Sequence, residues 1–213
     1  MVKVPATFEF ENSLWGSGKN LIVGIDEVGR GAWAGPLVAA AVIFPRNYSS
    51  DLKFYDSKML VAAEREKLSK IIQKEAVCFG VGLVEVEEII KNGLTLANQL
   101  AFRRALKNLT CIPDHYLIDA FYIRRVAKKH QTPIIHGDAL SATIAAASIV
   151  AKVYRDNLMR SLARTYKEYK FGLNKGYGTA AHQDAIRKYG FSPIHRTNYD
   201  LKFLLDNNHA ISI

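Results

Sequence analysis

Four acidic residues stand where they could do chemistry together. Asp26 and Glu27 close the apolar run 21–25, Asp119 closes 116–118, and Asp138 follows 133–135. Apolar runs of this length read as buried strands, so each acid falls at or just beyond a strand end. Strand ends on one edge of a sheet converge, so the four can meet although 112 positions (138 − 26) separate the outer two. A buried group of four carboxylates is untenable without cations, because like charges raise one another's pKa or demand a divalent ion. Oxygen-only ligands suit Mg2+ or Mn2+ rather than zinc. Two such ions can align a water, clamp a scissile phosphate and stabilise the leaving oxygen, which is phosphodiester hydrolysis. The plainer alternative is that each acid caps a strand or helix, and it fits Asp138 best.

Asp156 is a tempting fifth member, 18 residues after Asp138. On one continuous helix that spacing is five turns, hence the same face, but roughly 27 Å away. A structural salt bridge near Arg155 or Arg160 is the expected role. The turn after the first strand, 29–36, fits the dinucleotide fingerprint only loosely. That fingerprint must open a helix, whereas Gly35-Pro36 leads into another strand-like run. Gly29, Arg30 and Gly31 instead let backbone amides approach a ligand beside the carboxylates. The stretch 16–20 lacks the spacing of a phosphate-binding loop. Lys58, in Asp56-Ser57-Lys58, is able to reach a phosphate. Tyr177, between Gly176 and Gly178, is able to present its ring to a sugar or base.

The elements that would hold these residues follow from periodicity. Stretches 21–26, 37–44 and 76–84 read as strands, and 62–75 and 94–106 as helices. Two short strands, 115–119 and 133–135, flank a basic connection. A long helix is expected over about 139–166, with Asp138 and Ser141 as capping candidates and alanines at 145–147 allowing close approach to a sheet. A loop-rich C-terminal region surrounds one further helix, 180–189. This order predicts an α/β fold, a mixed sheet flanked by helices.

The chain has 213 residues and a net charge of +9. Residues 124–200 hold 14 basic and 5 acidic side chains, so the whole excess lies there, interleaved with Tyr154, Tyr166, Tyr169 and Tyr177. A basic, aromatic-bearing segment suits a phosphate backbone, although a basic surface can also serve solubility alone. The longest apolar run, 37–44, has eight residues, too few to span a bilayer. No secretory signal is visible, and Cys78 and Cys111 read as two buried thiols of a cytoplasmic protein.

Taken together, 24–31, 56–58, 117–119, 137–139, 145–156, 175–179 and 192–196 resemble type 2 ribonuclease H, ribonuclease HII, in family order over about residues 21–196. The resemblance implies a ribonuclease H-like fold with a helical C-terminal lobe. It implies one catalytic domain over 1–213, its core about 1–160 and its lobe about 161–213. By position, Asp26, Glu27, Asp119 and Asp138 match the metal-binding carboxylates. Gly29, Arg30 and Gly31 match a ribose-sensing turn, and Tyr177 matches a junction-reading tyrosine. The implied reaction uses Mg2+ or Mn2+ to cut the RNA strand of RNA–DNA hybrids, or duplex DNA 5′ of an embedded ribonucleotide. It leaves 3′-hydroxyl and 5′-phosphate ends, as in ribonucleotide excision during replication. A monomer without membrane attachment is expected. His136 departs from the lysine of many relatives, which puts a phosphate contact there in doubt. Type 3 ribonuclease H, another ribonuclease H-like nuclease and a non-catalytic nucleic-acid-binding module are the rival readings. The first twenty residues match no family feature. In the tail, Leu201, Leu204 and Leu205 form a small apolar patch expected to pack on the domain.

Overall fold

The computed structural model describes residues 4–50 and 52–205. Its elements run α1 (Glu9–Gly16), β1 (Ile22–Val28), β2 (Leu37–Ile43), α2 (Ala62–Glu75), β3 (Cys78–Val84) and α3 (Val86–Lys107). They continue with β4 (His115–Asp119), β5 (Gln131–Ile134), α4 (Gly137–Leu140), α5 (Ala142–Thr165), α6 (Phe171–Asn174) and α7 (Ala180–Tyr189). The five strands form one mixed sheet in the order β3-β2-β1-β4-β5, antiparallel from β3 to β1 and parallel from β1 to β5.

Every residue of β2 is fully buried because the strand is covered on both faces. Leu37, Ala39, Ala41 and Ile43 join the core beneath α3, while Val38, Ala40 and Val42 join the core beneath α5. Alternate residues point to opposite faces, so a strand buried on both sides reads as an unbroken apolar run. A third cluster, built on Met159, Tyr169, Phe171 and Ile186, forms the helical C-terminal region. Leu201 and Leu204 are buried in it and Leu205 packs against it, as expected for the tail patch. Residues 206–213 of that tail lie outside the described residues.

Three expectations change. The helix expected over 139–166 is two helices, α4 and α5, separated by Ser141 in an extended conformation. Ser141 is the N-cap of α5 and accepts from the Ile144 amide, whereas Asp138 lies inside α4 and caps nothing. The five-turn spacing from Asp138 to Asp156 on one helix therefore does not exist. Cys78 and Cys111 are joined in a disulfide rather than standing as two thiols. The start of β3 and the turn after α3 bring their Cα atoms to 6.7 Å.

The third change is α1, a helix where periodicity predicts none. Glu11 on this helix is fully buried. Its Oε1 accepts from Ser141 Oγ at 2.6 Å and from the Thr143 amide at 3.0 Å, so it caps α5 from outside the helix. A carboxylate also complements the positive end of the helix dipole. Thr7 adds backbone bonds to Leu140 and Ala142, tying the N-terminal segment to the turn that carries Asp138. Glu11→Ala leaves two buried donors unanswered and is expected to cost about 2–3 kcal/mol. That is a drop of roughly 5–10 °C in melting temperature for a chain of this size. An unchanged thermal transition would contradict this role.

Candidate active site

Parallel pairing brings the first acids together. The register Ile25↔Ile118 sets Asp26 beside Asp119, and Asp119 in turn pairs with Ile134 at the end of β5. Asp119 Oδ1 accepts the Gly137 amide at 2.8 Å, which fixes the turn entering α4 and thus the position of Asp138. His136 holds that turn in the left-handed conformation, φ 57°, and its exposed ring lies outside the pocket lining. Asp26 Oδ1 accepts the Glu27 amide at 2.7 Å. All four acids line one pocket of about 360 Å3, together with Ser57, Lys58, Ser148, Lys152 and Tyr177.

Their electrostatics are strained in the way four neighbouring carboxylates must be. Burial, then Glu27 and Asp119, push Asp26 well above the ordinary carboxylate range. Burial pushes Glu27 up to about 7, against the opposing pull of Arg30. Asp119 is also raised, mainly by burial. Glu27 Oε2 is buried and has no hydrogen-bond partner. A cluster that resists ionisation, and contains an unanswered carboxylate oxygen, calls for positive charge. The donors are all oxygen, which fits Mg2+ or Mn2+. Among the described residues, no three acidic, histidine or cysteine side chains are gathered closely enough to hold an ion as they stand. Asp26 and Asp119 are turned to backbone amides, and Asp138 Oδ2 accepts from Lys58 Nζ at 3.3 Å. Lys58 thus sits on a carboxylate, with most of its side chain exposed for a phosphate.

Asp156 does not line the pocket. It makes the expected structural ion pair, but with Lys152 at 2.8 Å and Arg65 at 3.8 Å rather than with Arg155 or Arg160. Through Lys152 it acts on the site, since Lys152 Nζ lies 5.7 Å from the centre of the Tyr177 ring.

Gly29, Arg30 and Gly31 flank the pocket rather than line it. The turn is held by two fully buried arginines, Arg155 and Arg196, neither expected from local sequence to anchor it. Arg196 donates to the carbonyls of Gly29 (2.6 Å), Arg30 (3.1 Å) and Gly35 (2.8 and 3.0 Å). Arg155 donates to Pro36, Ala34 and Lys175 at 2.9–3.1 Å. Burial lowers Arg155 to about 10, so it remains charged at neutral pH. Gly29 has φ +97°, and a Cβ there would lie 2.3 Å from Arg155 Nε. Gly31 differs: it is exposed, and a Cβ would meet nothing within 4 Å. The Arg30 guanidinium stacks over Phe121 at 4.7 Å and stands 3.8 Å from Glu27.

Tyr177 joins the same unit, because the Trp33 and Ala34 amides donate to the Gly176 carbonyl. Two buried histidines fix its backbone. The Ser192 amide donates to His195 Nδ1 at 2.8 Å, which leaves the His195 proton on Nε2. That proton points at His182 Nε2, 3.0 Å away, so the His182 proton is on Nδ1 and donates to the Tyr177 carbonyl at 2.9 Å. The relay works only with both rings neutral. Burial, then His182, lower His195 to about 4 from the ordinary 6.5. The contribution of His195 to stability is complete above pH 6.5, where folded and unfolded chains are both neutral. It is lost as the pH falls toward 4, because the unfolded chain takes up the proton first. In an NMR titration the His195 ring is expected to stay neutral down to about pH 5. A midpoint near 6.5 in the folded protein would contradict the relay.

The sequence model of the family described as Ribonuclease HII matches residues 23–202. A ribonuclease HII of Koribacter versatilis is 47% identical over 197 residues, covering 92% of this chain and 76% of the relative. The ribonuclease H2 of Pyrococcus horikoshii has a crystal structure that superposes with a TM-score of 0.73 at 26% identity, over 87% of this chain and 97% of that one. A ribonuclease HIII solved in complex with Mn2+, Bst-RNase HIII, superposes with a TM-score of 0.70 at 19% identity, over 87% of this chain and 69% of that one. It shares the fold.

Proposed function

The chain belongs to the ribonuclease HII family and is a ribonuclease H, a hydrolase acting on nucleic acid, and we propose that it cuts duplexes 5′ of ribonucleotides with Asp26, Glu27, Asp119 and Asp138 holding its divalent ions. The observation that carries the reading is the convergence of these four acids in one pocket, where burial and neighbouring carboxylates suppress the ionisation of Asp26, Glu27 and Asp119. The ions, Mg2+ or Mn2+ and two in number during catalysis, would supply the charge that activates a water and stabilises the leaving oxygen. Lys58 would offer its exposed ammonium to a substrate phosphate.

Ribose differs from deoxyribose at a given site only by its 2′-hydroxyl. The Gly29-Arg30-Gly31 backbone would meet that hydroxyl, since Gly31 has no Cβ and faces open space. Tyr177 would stack on the next sugar, held by the histidine relay below it. The products would carry 3′-hydroxyl and 5′-phosphate ends, and both hybrids and singly substituted DNA would be substrates. Under this reading residues 1–213 act as one catalytic domain, with a core of about 1–160 and a lobe of about 161–213. It works as a monomer in the cytoplasm in ribonucleotide excision. No helix among the described residues is long and apolar enough to cross a membrane.

The test is kcat/KM on a duplex with one embedded ribonucleotide. Tyr177→Ala is expected to lose about 1–3 kcal/mol of transition-state stabilisation, roughly tenfold to a hundredfold in rate, with duplex binding much less affected. Gly31→Ala should fold normally, because its methyl group meets no atom of the free protein, yet lose at least as much activity. Unchanged rates in both variants would remove the turn and the tyrosine as the ribose sensor.

A further inference from the structure

The connection between β4 and β5 carries charge that the site just described does not use. Residues 120–137 contain no acid but include Arg124, Arg125, Lys128 and Lys129. All four are exposed, and among the described residues none has a carboxylate partner. Exposed basic residues commonly serve solubility alone, and then nothing requires their backbone to be fixed. Here the stretch 122–126 is fixed by two buried side chains.

Gln99, on α3, donates to the Tyr122 carbonyl and accepts from the Arg124 amide, both at 2.8 Å. Gln131 accepts from the Ile123 amide at 2.7 Å and donates to the carbonyls of Ile123 and Val126 at 3.1 and 2.7 Å. Both glutamines are buried, and Ile123 between them is anchored in the core. The clamps enclose Arg125, which is left-handed at φ 71°, and Ala120, left-handed at φ 57°, is held separately by its amide's bond to the Ile134 carbonyl. Such conformations persist only where the surroundings enforce them, and they gather at functional sites.

The loop begins at Asp119 and ends at Gln131, which pairs with Tyr116. It thus runs about 10 Å back along the sheet from the carboxylate end, at 3.3 Å per residue, or roughly three base-pair steps. Phe121, beside Asp119, already touches Arg30 of the turn at the pocket. Lys128 Nζ lies 5.6 Å from the half-exposed Tyr122 ring, so an aromatic face and a cation stand together on the same surface.

We infer that the β4–β5 crossover is a preorganised cationic platform that grips the phosphate backbone of the duplex where it leaves the carboxylate pocket. The inference rests on the ribonuclease reading for the identity of the duplex, and adds a contact surface outside the catalytic residues. Phosphate contacts carry no sequence or sugar information, so the platform should engage plain DNA as well as hybrid.

The experiment measures binding of an all-DNA duplex of about 20 base pairs by the full chain in Mg2+, as a function of salt. Neutralising Arg124, Arg125, Lys128 and Lys129 to Gln together is expected to reduce the slope of log K against log salt by about 3.6, since each phosphate contact contributes close to 0.9. The pair Lys128→Gln and Lys129→Gln, which leaves the clamped stretch alone, should give about half that change with an unaltered melting temperature. A slope equal to wild type in both variants would overturn the platform. Degradation of the all-DNA duplex by wild type would sink the ribonucleotide reading instead, while initial binding would still decide between platform and solvated surface.

Discussion

Asp26→Asn, Asp119→Asn and Asp138→Asn are each expected to abolish most cleavage while leaving the fold intact. Each exchange keeps the size of the side chain and removes one negative ligand. Loss of a metal-held charge stabilisation of about 4 kcal/mol corresponds to close to a thousandfold in rate. The fold should not suffer, because the acids oppose one another: burial and their neighbours already hold Asp26 and Glu27 far above ordinary carboxylates. Removing one charge relieves that repulsion, so the melting temperature in a chelator should hold or rise. Ordinary capping acids would behave the other way, losing stability and keeping activity. Full activity of Asp26→Asn or Asp119→Asn at moderate Mg2+ would overturn the assignment.

Arg196→Ala is expected to damage fold and activity together. The guanidinium is fully buried and satisfies carbonyl oxygens of Gly29, Arg30 and Gly35. Its removal leaves a cavity and several buried acceptors without donors, at about 1–3 kcal/mol for each such group. Partial relaxation brings the expected total to about 3–5 kcal/mol, a fall of roughly 10 °C or more in melting temperature. Lysine should not rescue it, since one ammonium cannot serve carbonyls spread over a fork. At a temperature where Arg196→Lys is still folded, cleavage of a one-ribonucleotide duplex should fall more than binding does, because the turn that meets the ribose has lost its anchor. A variant that melts and cleaves like wild type would contradict this account of the turn.

What the sequence made legible is what local patterning controls. Acids at the ends of apolar runs, the bounds of α2 and α7, and the unbroken apolar β2 all follow from periodicity over a few residues. The partnerships of buried polar groups do not. Arg196 reaches Gly29 across 167 positions and Glu11 reaches Ser141 across 130, and nothing near either residue reveals its partner. The Ser192–Arg196 stretch carried the only signal for Arg196, as part of the family resemblance, without indicating its burial. One long helix is predicted over 139–166 because alanine-rich 139–147 has helical propensity throughout. Ser141 breaks it through an N-cap and through bonds from Thr7 and Glu11, which come from the opposite end of the chain. The disulfide is invisible to local patterning for the same reason, since Cys78 and Cys111 meet only after α3 has returned the chain to β3.

The central claim is that this pocket recognises and cuts at a ribonucleotide. Initial cleavage rates in Mg2+ on three duplexes of one sequence test it most directly: all DNA, DNA with a single ribonucleotide, and a full RNA–DNA hybrid. Cleavage is expected on the second and third only, with the cut in the second 5′ of the ribonucleotide and leaving 3′-hydroxyl and 5′-phosphate ends. Comparable cleavage of the all-DNA duplex, or none of any of the three, would contradict it.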